Sequence, residues 1–116
     1  MKKLYYSIKR DSFIDYITVY DNELKIFAEL ECSKYPDTGE RFMSDIDEIE
    51  NYLVDNGYGD EEFDIISIEK QLNYLEKEIK NERISYTEIA ELELLSNFIE
   101  ETNTLLLQWA GVPENI

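Results

Sequence analysis

FIDYITVYDNELKIFAELE, residues 13–31, alternates apolar and polar side chains on both sides of a central Asp21-Asn22 pair. β-Branched and aromatic residues dominate both arms, as in half-buried strands. Asp and Asn tolerate the positive φ of a two-residue turn, so the stretch reads as a hairpin. That turn pairs Val19 with Leu24, Ile17 with Ile26 and Tyr16 with Phe27. Upstream, LYYSIK (4–9) adds a strand, and a similar turn at Arg10-Asp11 sets Ile8 against Phe13 and Leu4 against Ile17. Parity agrees across both hairpins. One face gathers Leu4, Tyr6, Ile8, Phe13, Ile17, Val19, Leu24, Ile26, Ala28 and Leu30, and is expected to be the core. The other lines up Tyr5, Tyr16 and Phe27 among more polar neighbours. Residues 1–32 are thus expected to form a three-stranded antiparallel meander.

The remainder reads as mainly helical. SKYPDTGER (33–41) is a loop, broken by Pro36 and Gly39. Ser44 caps a helix whose Ile46, Ile49 and Leu53 share one face, with Asp47, Glu48, Asn51 and Asp55 outward and Asn56-Gly57 as the stop. EEFDIISIE (61–69) fits either a short fourth strand or an extended lead into the next helix, which Asp64 or Ser67 caps. Ile68, Leu72, Leu75 and Ile79 make the stripe of that helix. Ser85 and Glu88 form a capping box before a third helix with Ile89, Leu92, Leu95 and Ile99 on its apolar face. Leu94, Phe98, Leu105 and Trp109 share a second side if that helix is continuous, with Thr102–Thr104 as a place to kink and Gly111 to Pro113 as the end. The expected fold class is α+β, a β-meander followed by three helices. At 116 residues, one domain (1–116) is expected, its part from 44 to 116 acidic and mainly helical.

Charge is the most unusual property. The formal net charge is −16, yet hydrophobic content of 43% and nine tyrosines argue for a folded chain. Residues 1–41 hold seven bases against eight acids, whereas residues 42–116 hold four bases against nineteen acids. From Phe42 through Glu69 there is no Lys or Arg at all, beside ten carboxylates: Asp45, Asp47, Glu48, Glu50, Asp55, Asp60, Glu61, Glu62, Asp64 and Glu69. Such an excess opposes compaction and is far above the magnitude of roughly 2–8 that solubility needs. Its natural partners are basic: the nucleic-acid-binding groove of another protein, a basic peptide, or cations. Direct contact with nucleic acid or an anionic membrane is disfavoured by repulsion.

Several chemistries are excluded or weakened. The chain has no His, which removes Ser-His-Asp and Cys-His catalysis and the usual transition-metal sites. Cys32 is the only cysteine, so no internal disulfide forms; it reads as a small, partly buried strand residue in a reducing compartment. EF-hand loops starting at Asp55 or Asp60 fail at the obligatory Gly (Asp60, Ile65) and Glu (Ile66, Gln71) positions. Neither catalysis nor a cofactor or metal is expected, because abundant carboxylates are not positioned ones. The Tyr5/Tyr16/Phe27 stripe has the look of a base-stacking platform, but the net charge favours ordinary cross-strand packing. MKK followed by LYYSIKRD is too short and too polar for a secretory signal, and the longest aliphatic run is Leu105–Leu107. The bacterial cytoplasm is the expected location.

ELKIFAELE, DIDEIENYL, EEFDIISIE and ISYTEIAELELLSNFIEE, in that order, resemble the first part of the ArdA-type antirestriction proteins, acidic DNA mimics of plasmids, transposons and phages. Family members continue into a further acidic part that carries dimerisation, and KQLNYLEKEIKNER (70–83), which holds all four bases of the second part, has no obvious counterpart there. The resemblance implies a stoichiometric inhibitor, monomeric or homodimeric, whose ten carboxylates enter the basic groove of a restriction–modification enzyme. An inhibitor of a CRISPR–Cas effector, of anti-CRISPR type, obeys the same physics. The alternative of a different class is an adaptor or immunity-type protein that binds through Leu94, Phe98, Leu105 and Trp109.

Overall fold

A computed structural model describes residues 2–111. It is α+β, with a four-stranded mixed sheet and four α-helices. The order is β1 (Lys2–Arg10), β2 (Ile14–Tyr20), β3 (Ile26–Ser33), α1 (Asp45–Asp55), β4 (Phe63–Ser67), α2 (Ile68–Lys80), α3 (Tyr86–Leu94), a single 3-10 turn (Ser96–Phe98) and α4 (Thr104–Trp109). By compactness the chain divides into two units, one up to Ser67 and one from Ile68.

In the first unit the strands run in the order β3-β2-β1-β4. The antiparallel meander is present, but β4 adds to its β1 edge in parallel, with Leu4 opposite Ile65. EEFDIISIE therefore resolves as a strand, with Asp64 inside it rather than capping a helix, and α2 follows without a loop. A parallel partner must arrive by a long crossover, and the loop and helix from β3 to β4 supply it.

Both hairpins are displaced from the expected pairing. Ile17 opposes Leu30 instead of Ile26, and Ile8 opposes Ile17 instead of Phe13, four residues on in each case. The cause in the second hairpin is Asp21. Its carboxylate Oδ1 accepts from the amides of Glu23 and Lys25, both at 2.9 Å, and so organises a wider loop in place of a two-residue turn. An even slip preserves which face each residue takes. Leu4, Tyr6, Ile17, Val19 and Ala28 are accordingly in the core, joined by Cys32, with Ile8 and Leu30 packed against them.

The exceptions have local reasons. Phe13 lies in the widened first loop and is 73% exposed. Between Val19 and Tyr20 the pairing shifts, so that Tyr20 opposes Ile26 while Val19 opposes Ala28. This bulge turns Ile26 out to 63% exposure and packs Phe27 on the core side, 5.3 Å from the Tyr58 ring. Leu24 sits in the loop with φ 61°. The expected Tyr5/Tyr16/Phe27 stripe does not exist: Tyr5 is buried, Tyr16 is on the rim of exposure, and Phe27 belongs to the core.

α1 begins as expected, with Ser44 Oγ accepting from the Asp47 amide at 3.2 Å, and ends at Asn56 followed by Gly57 at φ 86°. Its inward face is turned from the expected one. Ile49 and Leu53 are buried, but Ile46 is exposed, while Asp45, Glu48 and Tyr52 are half-buried.

In the second unit Ile68, Leu72, Leu75 and Ile79 are buried along α2, as their spacing requires. Ser85 and Glu88 make the reciprocal capping box that starts α3. The expected continuous third helix breaks. Leu95 caps α3, the 3-10 turn follows, Ile99 is extended, and Asn103 Oδ1 restarts the chain by accepting from the Leu106 amide at 3.2 Å. Gln71 donates to Glu91 at 2.6 Å and Asn103 donates to Glu76 at 3.3 Å, tying the helices of this unit together. Among the described residues, no helix is long and apolar enough to cross a membrane.

Candidate partner-binding surface

The ten carboxylates expected to form one surface separate into three groups. Asp47, Glu50, Asp55, Asp60, Glu61, Glu62 and Asp64 are exposed, and all belong to the first unit on α1, β4 and the segment between them. Glu69 is exposed but opens α2 in the second unit. Asp45 and Glu48 are half-buried, which corrects the outward assignment of Glu48 and the expectation that both belong to the acidic surface. Asp45 pairs with the guanidinium of Arg41, four residues earlier in the chain, and accepts from the Tyr6 hydroxyl at 3.4 Å. Glu48 lies against the buried Cys32. Burial first, then the Glu48 charge and hydrogen bond, push the Cys32 thiol up to about 11, with Arg41 opposing. A thiol held protonated in this way is inert at neutral pH.

Of the seven exposed carboxylates, only Glu61 has an ion pair among the described residues, to the exposed Lys2 at 3.5 Å. The others confront water. Three of the seven, Glu50, Glu61 and Glu62, line a groove of about 470 Å³ together with Leu53, Val54, Tyr58, Phe63 and Ile65. Edge-to-face contact of Tyr58 with Phe63 (centroids 6.4 Å apart) helps to shape that groove.

Two bases of the first unit, Lys34 and Arg41, are placed differently. Asp15 has only 1% of its surface exposed and lies on the inner face of β2 opposite Cys32. Lys34 Nζ approaches Asp15 Oδ1 at 2.8 Å, Arg41 Nε approaches Oδ2 at 3.1 Å, and Arg10 Nη1 approaches Oδ2 at 3.5 Å. A tight turn makes this possible. Lys34 and Arg41 bridge across it, the Tyr35 amide bonds Glu40 O at 2.7 Å, and Gly39 takes φ 70°. An open cleft of about 680 Å³ overlies this cluster. Its Lys34 and Arg41 are committed to internal carboxylates, so the cleft is a poor phosphate site. Two cations that would have neutralised the outside, Lys34 and Arg41, are thus folded inward, while Lys2, Lys3, Lys9, Arg10 and Lys25 stay exposed.

Sequence reasoning missed Asp15, although the signal was present. Ile17 and Val19 point inward, so the period of two puts Asp15 inward as well, and an inward carboxylate demands cations.

The expected apolar stripe is dispersed by the helix break. Leu94 ends α3 at 38% exposure, Phe98 and Leu105 are half-buried in the 3-10 turn and α4, and Trp109 is 42% exposed. Trp109 lines a pocket of about 630 Å³ together with Ile79, Ile84, Tyr86 and Ile89, which the stripe did not include. Among the described residues no group of three or more His, Cys, Asp or Glu side chains is arranged to hold a metal ion. No protein family, curated protein or solved structure matches the chain.

Proposed function

We propose that the protein is a stoichiometric inhibitor that occupies the basic nucleic-acid-binding surface of another protein by mimicking nucleic acid. The observation that supports this is the set of seven exposed carboxylates held on a folded scaffold, with Lys2 their one partner among the described residues. A rigid array of like charges is costly to assemble, and a basic groove relieves that cost on binding. Asp47 and Asp55 are about 12 Å apart along α1 at 1.5 Å per residue, a length over which a DNA strand presents a phosphate roughly every 3.4 Å. With Asp45 and Glu48 turned inward, the helix alone is sparser than a strand of DNA, and Asp60, Glu61 and Glu62 before β4, with Asp64 within it, complete the array. The groove lined by Glu50, Glu61 and Glu62 accommodates the aliphatic stems of Lys and Arg against Leu53, Val54 and Phe63.

The target class follows from this charge and from the ArdA-like segments: a bacterial defence enzyme, either a restriction–modification enzyme or a CRISPR–Cas effector. The protein acts without catalysis and without direct affinity for duplex DNA. The test is capture from a lysate of a defence-bearing bacterium, with duplex DNA added as competitor. Release of a basic partner by DNA and by salt supports mimicry. A partner held equally in DNA and in high salt, and lost when Leu94 and Trp109 are truncated, makes the protein an adaptor instead.

A further inference from the structure

Glu82 breaks two local rules at once. It stands just past the C-terminus of α2 with φ 56°, in the left-handed region that glycine normally fills at this position. The amides of Glu82 and Arg83 close the helix end onto Ile79 O and Glu78 O at 3.1 and 2.8 Å, so the conformation is built in. The residue also places a negative charge at the negative end of the helix dipole, where Lys77 and Lys80 already follow the opposite preference. No ion pair compensates it among the described residues. Lys80 pairs with Glu76 at 3.7 Å and Arg83 with Glu78 at 3.4 Å, while the Glu82 carboxylate has no ion pair or side-chain hydrogen bond among the described residues.

Unexplained violations of local preference mark functional positions, and Glu82 lies in a suggestive one. It lines the pocket formed with Ile79, Ile84, Ile89, Tyr86 and Trp109, where the end of α2, the start of α3 and the end of α4 all contribute. Tyr86 is 93% exposed, which leaves an aromatic face at the rim without cover. Aliphatic walls, aromatic faces and one uncompensated carboxylate select a long apolar stem that ends in a delocalised cation. Arginine has that form: its methylenes pack on the isoleucines, and its guanidinium takes the Glu82 carboxylate and an aromatic face together. A purely aliphatic occupant would strip water from Glu82 and return nothing, and an anion would be repelled.

We propose that this pocket binds an arginine side chain presented by a partner protein. The site lies entirely in the second unit and does not depend on the acidic surface of the first. Trp109 is the sole tryptophan of the chain, so its fluorescence reports on the pocket directly. Titration of the whole protein with acetyl-Gly-Arg-Gly-amide is expected to change that emission saturably, with half-saturation on the order of millimolar. The citrulline analogue, which keeps the stem and loses the charge, and the leucine analogue, which keeps only an aliphatic side chain, are expected to bind at least about threefold more weakly. Glu82→Gln and Glu82→Gly should each weaken the arginine peptide by a similar factor, and Glu82→Gly should at the same time raise the melting temperature. Absence of a saturable response overturns the proposal, and so does equal binding of the leucine peptide. A stabilised Glu82→Gly variant with undiminished arginine binding would reduce Glu82 to a helix terminator and overturn it too.

Discussion

The ammonium of Lys34 lies 2.8 Å from the carboxylate of Asp15, with both side chains almost wholly withdrawn from water. Asp15 is an inward charge on a strand whose other inward residues are apolar, so its three cations are a condition of folding. Asp15→Asn leaves Lys34 without its counter-charge and Arg41 with Asp45 alone, and is expected to cost about 3 kcal/mol, the usual penalty for breaking a buried pair. Replacing the pair together, as Asp15→Leu with Lys34→Met, should cost less than Asp15→Asn alone, because the remaining charge is then removed with its partner. Urea denaturation of the two variants measures the difference. Equal losses would mean that Arg41 and Arg10, not Lys34, carry the compensation.

Cys32 sets a limit on alkaline stability. Its thiol is pushed from an ordinary 9.0 to about 11, first by burial and then by Glu48. The folded state therefore holds the proton more tightly than the unfolded chain. The associated stability is complete below pH 9 and is lost as pH rises through about 11, since the unfolded thiol ionises first. A displacement of this size corresponds to at most about 3 kcal/mol. Cys32→Ala, compared with the parent protein between pH 8 and pH 11, should show a shallower decline in unfolding free energy. Parallel declines would show that Cys32 does not contribute to the alkaline limb.

Leu24 occupies the left-handed region at φ 61° in the loop that widens the second hairpin. A branched residue there is strained, whereas glycine adopts the angle freely. Leu24→Gly is expected to stabilise the protein by about 0.5–1 kcal/mol, less whatever the half-buried side chain contributes by packing. A rise of a few degrees in melting temperature is the readout. A fall would show that Leu24 packing outweighs its backbone strain.

Much of this architecture was legible before the structure, and the misses have identifiable physics. Side-chain alternation placed Leu4, Ile17, Val19 and Ala28 inside correctly even though both hairpins pair four residues away from expectation, because an even slip preserves parity. Ile26 and Phe27 escaped because a bulge inverts them, and a bulge is decided by the pairing of two strands, not by either alone. β4 was ambiguous because five residues carry little periodic signal, and its parallel partner Leu4 is 61 positions away from Ile65 along the chain, as 65 − 4 gives. The acidic surface was read as one block, yet its members depend on α1's rotation. That rotation is set by Arg41, which pulls Asp45 inward, and by the packing of Tyr52 on the core.

The exposed carboxylates permit the decisive test. Reversing Asp47, Glu50, Asp55, Glu61 and Glu62 to Lys changes the formal charge by ten, from −16 to −6. Glu48 is left out because it is half-buried beside Cys32, and Asp45 because it holds Arg41. All five reversed positions are exposed, so circular dichroism should be unchanged, and relief of repulsion should hold or raise the melting temperature. Binding to the DNA-competed partner should nevertheless weaken, chiefly through an association rate at least about tenfold slower at low salt. The difference should narrow as added salt screens the parent protein's field. The matched control is Leu94→Ala with Trp109→Ala, which leaves the first unit untouched. If that control abolishes partner binding in a folded protein while the five reversals leave both rate and salt dependence unchanged, the acidic array is a solvated surface and the adaptor reading takes its place.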